Sequence, residues 1–163
     1  MYITEGTYNA LNSLLGSCFQ MNSVCDNIAY NLGYAKMVSA EPIFHEKFAH
    51  AFPGLADDVS GLMLRMEARP VRYALHEDIA EYRDIEDMFA SLKEYVDGFR
   101  KEIISVIEIA DVNDDYEVKI SMEEFLNNFK IYLDQVNTWY LKARQYGEKV
   151  AIFDKDFEKF TFI

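Results

Sequence analysis

The densest set of metal-ligating side chains in the sequence is Glu41, His45, Glu46 and His50. Glu41 with His45, and Glu46 with His50, are one helical turn apart, so each pair presents a carboxylate and an imidazole to the same side. Such a pair can chelate a divalent cation, iron among them, and it can equally form a solvated helix flank. Asp57 and Asp58 add two carboxylates further along the same stretch. A metal centre inside a helical bundle usually draws a Glu-x-x-His pair from each of two helices, and this chain has no such pair. Asp26 stands alone in the middle of the first helical stretch, as Asp134 does in the last. Other chemistries lack their motifs: there is no glycine-rich phosphate loop, no Cys-x-x-Cys and no nucleophile elbow. His76-Glu77-Asp78 reads as surface, and Trp139 as core or interface.

Composition narrows the scaffold that must position these groups. The chain has 163 residues, enough for one domain with a real core. Its 7 glycines and 3 prolines are too few for an all-β fold that turns every few residues, which leaves long helices. A net charge of −12 suits a protein that attracts cations, and also plain solubility; with no basic arm, DNA binding is not expected at moderate ionic strength. Cys18 and Cys25, seven residues apart on a helix, lie about 10.5 Å from each other, too far for a disulfide, and read as buried hydrophobes in a reducing cytoplasm. Neither a secretory leader nor a membrane span is indicated.

The periodicity predicts four long helices. The first runs from Thr7 to Tyr34 through Leu11, Leu15, Cys18, Cys25, Ile28 and Leu32, with Asn22 interrupting the stripe. The second starts at Ser39-Ala40-Glu41-Pro42 and carries Phe44, Phe48, Phe52, Leu55, Val59, Leu62 and Met66, with a kink or short break expected near Pro53. A long crossover follows, with a short helix expected over Tyr73 to Tyr82. Asp84 caps a third helix, Ile85 to about Ala110, and Ser121 with Glu124 reads as a capping box for a fourth that ends at Gly147. The expected organisation is one four-helix unit over residues 1–147 and an aromatic tail, 148–163, docked on the bundle or on a neighbouring subunit.

Phe44-His45-Glu46-Lys47-Phe48, Leu55-Ala56-Asp57-Asp58-Val59, Arg69-Pro70-Val71 and Val136-Asn137-Thr138-Trp139 together resemble the Dps-type mini-ferritins, over about residues 8 to 146. The resemblance implies an all-α, ferritin-like four-helix bundle in a homo-oligomeric shell, a dodecamer, that oxidises and stores iron in the cytoplasm as an oxidative stress response. It also implies a ferroxidase site shared by two subunits. His45 matches the family's second histidine; the partner positions fall on Ser60 and Leu64 counted forward from His45, or on Asp57 and Gly61 counted back from Arg69, so Asp57 is the one partner carboxylate that can match. Gly33 and Ala49 stand where a first histidine and an acid belong, so His50 or Glu46 is the candidate to substitute, with Glu41 a further candidate ligand through its pairing with His45. The alternative is a non-enzymatic shell or interaction protein on the same fold.

Overall fold

A computed structural model describes all of residues 1–163 and contains helices and no strands. The bundle consists of α1 (Glu5–Tyr34), a second helix in two pieces, α2 (Ala40–Phe44) and α3 (Ala51–Arg65), then α4 (Ile85–Val112) and α5 (Tyr116–Tyr146). A short α6 (Val150–Asp156) and a 3₁₀ turn (Phe157–Phe160) follow. No helix is long and apolar enough to cross a membrane.

The helix signals of the sequence are used where they are local. Thr4 caps α1, accepting from the Thr7 N–H, and Asp84 caps α4, accepting from the Asp87 N–H at 2.8 Å. Gly147 ends α5 with φ +54°, a conformation that disfavours a side chain. The expected start of α5 at Ser121 is five residues late. Val118 and Met122 are buried and extend the apolar stripe toward the turn, so the helix begins at Tyr116 and the Ser121 capping box is not used. Ser39 precedes α2 but its side chain caps nothing. The cap comes from α6: Asp154 Oδ1 accepts from the Ala40 N–H at 2.7 Å and from the Ser39 N–H at 3.1 Å. Asp154→Ala is therefore expected to cost about 1 kcal/mol in chemical denaturation, the usual worth of a helix cap, with Asp154→Asn nearer wild type.

Between α2 and α3 the backbone widens into a π-turn over His45–Ala49, closed by the His50 N–H to the His45 carbonyl at 3.1 Å. The irregularity expected near Pro53 thus falls just before it. Pro53 has no N–H to give to Ala49 one turn back, and its ring would crowd that carbonyl. Asn22, the residue that interrupts the α1 stripe, supplies the missing donor: its Nδ2 bonds the Ala49 carbonyl at 2.9 Å. The second helix stays in phase across the interruption, and Phe44, Phe48 and Phe52 are all fully buried.

The core they enter is aromatic. Trp139 packs against Phe44 and Phe48, each at 5.4 Å between ring centres, and stacks on Phe157 of the tail at 5.0 Å. Lower in the bundle, Phe52, Phe99 and Phe129 pack edge to face. The tail is tied by polar bonds as well: the buried Gln135 donates to the Phe160 carbonyl at 2.9 Å and accepts from the Phe162 N–H, and Trp139 Nε1 donates to Thr161 Oγ1 at 3.0 Å.

The crossover contains no helix, contrary to the expectation over Tyr73 to Tyr82. The reason is distance. Tyr8 on α1 bonds the Arg69 carbonyl and Asn31 bonds the Ala80 carbonyl, so the connection follows α1 for about 35 Å at 1.5 Å per residue. Arg69 to Ala80 covers that length only when drawn out near ~3.3 Å per residue, and a helix over the same residues would stop at less than half of it. Amide side chains of α1 replace the hydrogen bonds a helix would have made. Asn12 Oδ1 accepts from the Val71 N–H, Gln20 holds both the N–H and the carbonyl of His76, and Asn27 donates to the Ala80 carbonyl.

Candidate metal-binding site

His45 stands at the start of the π-turn, on the side of the second helix that faces α1. Its Nε2 lies 3.3 Å from Asp26 Oδ1 on α1, and its Nδ1 lies 3.9 Å from Glu41 Oε1 on α2. All three side chains are about one third exposed, at 34% for His45, 28% for Asp26 and 32% for Glu41. Asp26 was visible in the sequence but carried no role there, because nothing in one helix says which residue of the next it meets. Asp26 Oδ1 is itself buried and has no hydrogen-bond partner: the imidazole is within ion-pair distance but outside hydrogen-bonding geometry.

The π-turn changes which side chains meet. With closure after five residues instead of four, His50 comes over His45, ring centres 4.5 Å apart, and no ion pair forms between Glu46 and His50. Glu46 and His50 are exposed beside the cluster. Positions 33 and 49 have little room for a ligand side chain. A Cβ at position 33 would lie 3.4 Å from Glu41 Cγ, so Glu41 fills the room that a larger residue at 33 would need. Ala49 is fully buried, where an acid would lose its hydration without gaining a partner.

Asp57 is exposed on α3, beside Asp58, in a groove of about 310 Å³ shared with Glu124 and Asn128 of α5. Twelve residues of helix, about 18 Å, separate it from His45, so the two cannot share an ion within one subunit. No group of three or more His, Cys, Asp or Glu side chains converges on a common point in the chain. The two carboxylates beside His45 engage opposite ring nitrogens, which makes the imidazole a bridge between them and not one arm of a chelate. The bundle interior offers nothing further: its only buried polar side chains are Thr7, Asn12 and Gln135. A dimetal centre does not fit among those aromatic rings. The two cysteines are both buried in the apolar core, where burial pushes the Cys18 thiol up to about 12 and that of Cys25 well above its ordinary value, and neither belongs to a converging group of ligands.

No protein-family model matches the sequence, and no curated protein matches it. Among solved structures, the chain is similar to an open-pore ferritin from the hyperthermophilic archaeon Archaeoglobus fulgidus, with a TM-score of 0.90 at 16% identity, over 95% of this chain and 96% of that one. At that identity the likeness establishes the fold, an all-α ferritin-like four-helix bundle.

Proposed function

We propose that the chain is the subunit of a ferritin-like shell that takes up ferrous iron at its subunit boundary, around His45, and not inside its bundle. The observation that carries this reading is the buried Asp26 Oδ1, which accepts no hydrogen bond and lies 3.3 Å from His45 Nε2. A carboxylate oxygen without a partner is costly in a folded protein unless a cation completes it. Asp26 and His45 would begin such a site; Glu41 faces the other ring nitrogen of His45, and the exposed Glu46 and His50 lie beside the pair. A second subunit must supply the remainder, Asp57 being the carboxylate the family resemblance puts there. On this reading the protein is a cytoplasmic, Dps-like dodecamer that withdraws ferrous iron as protection against oxidative stress.

Ferrous iron added under air is expected to oxidise faster with the wild-type protein than without protein, and His45→Ala is expected to lose at least tenfold of that acceleration. Ferric absorbance and bound iron after desalting are the readouts. A wild-type rate equal to the uncatalysed one would remove the ferroxidase activity. A second reading has its own support: both ring nitrogens of His45 already face carboxylates of its own chain, so the imidazole can serve as a structural bridge between α1 and α2 in a shell or interaction protein with no metal there. Under that reading the shell forms but neither oxidises nor retains iron.

A further inference from the structure

Along the seam between α1 and α4 lies a groove of about 550 Å³, a size suited to a small ligand. Small residues open it: Ser17 on α1, and Ser91 and Gly98 on α4, where a Cβ added to Gly98 would meet nothing within 4 Å. The floor is apolar, formed by the buried Met21, Val24 and Phe99. Its walls carry four carboxylates, Glu77 and Asp78 from the crossover and Glu94 and Glu102 from α4, and no Lys, Arg or His. The bases nearest to them in the sequence are turned to other acids, Arg83 to Asp87 and Lys101 to Asp97, so these four have no ion-pair partner in the chain. Thr4 at the start of α1 bonds Asp115 just past the end of α4, so the two helices run antiparallel. Asp78, held by Asn27 of α1, gathers with Glu77 and Glu94 at one end of the groove, and Glu102 stands eight residues further along α4, about 12 Å away.

We infer that the groove binds an aliphatic polyamine, its alkyl chain on the apolar floor and its ammonium groups at the two acidic ends. The distribution of the charges selects this ligand over a metal ion. The carboxylates converge on no common point, so they cannot chelate one ion together, and a hydrated cation would leave the floor unused. A molecule with cationic ends and an apolar middle is complementary to both. Tyr95, 42% exposed at the more crowded end, presents a ring to an ammonium group. Next to it and to Asp78, the Tyr82 hydroxyl is buried with no hydrogen-bond partner, an acceptor that no donor of the chain reaches. The groove shares no residue with the His45 cluster, so it stands or falls apart from iron uptake.

Titration calorimetry of the intact protein with spermidine at low ionic strength is expected to show one molecule bound per chain, with an affinity that falls as salt is added. Gly98→Leu fills the groove without changing any charge, and leucine suits a helix better than glycine. It is expected to weaken spermidine binding by about tenfold or more while leaving the response to magnesium as in wild type. Glu102→Gln removes only the far charge and is expected to weaken spermidine by about threefold, the scale of one exposed ion pair, with less effect on the shorter putrescine. Circular dichroism checks that both variants are folded; should Gly98→Leu lose helix content, Glu102→Gln decides, since that side chain is exposed. No heat with wild type, wild-type spermidine affinity in a folded Gly98→Leu or in Glu102→Gln, or displacement of spermidine by equimolar magnesium would overturn the site, the last by reducing it to an acidic surface.

Discussion

Trp139→Ala is expected to cost about 3–5 kcal/mol, the range for deleting a large aromatic from a packed core, read as the shift in urea midpoint at fixed protein concentration. The value belongs at the upper end for two reasons. Trp139 is fully buried and meets rings from the second helix, from α4 and from the tail at once, Phe44, Phe48, Phe89 and Phe157, so its loss opens a cavity no single neighbour can fill. Its indole N–H also holds Thr161, so the tail is released together with the packing. The tail carries Asp154, the cap of α2, and α2 carries Glu41 toward His45. Faster proteolysis within Val150–Phe160 is expected to accompany the loss of stability. Trp139→Phe, which keeps the ring and drops the N–H, is expected to retain most of the stability while loosening the tail.

Asn22→Leu is the second large effect, about 1–3 kcal/mol, although the substitution makes α1 more regular and more apolar. The cost comes from the carbonyl of the buried Ala49, which loses the donor that Pro53 cannot provide. Because the two residues serve the same carbonyl, their substitutions are expected to be coupled. Pro53→Ala restores a backbone N–H and should recover part of the loss in the Asn22→Leu background, so the double-mutant cycle is non-additive by ~0.5 kcal/mol or more. Additive effects would mean that Asn22 and Pro53 act independently.

These two residues also show what the sequence could and could not convey. The stripe of α1, the Asp84 cap and the Gly147 stop are local patterns, and the structure uses them as written. Asn22 and Pro53 each looked like a flaw in its own helix; only the antiparallel packing of α1 on the second helix makes one the remedy for the other. The crossover misled because Leu75, Ile79 and Tyr82 have helical spacing, whereas its conformation follows from the span it must cover along α1. The candidate site was legible to the same extent. Glu41 and His45 share a helical turn and lie 3.9 Å apart. Asp26 comes from another helix, and the π-turn exchanged the Glu46–His50 pairing for His45 over His50, which no count of four residues predicts.

The site proposed beside His45 and the aromatic bundle core can be told apart directly by anomalous diffraction at the iron edge, from crystals soaked anaerobically with ferrous iron. The expected result is a single strong peak beside His45 and Asp26, bounded on its open side by a neighbouring subunit. A peak among the aromatic rings between α2, α4 and α5, or no peak at His45 when the crystal has taken up iron elsewhere, would contradict the account.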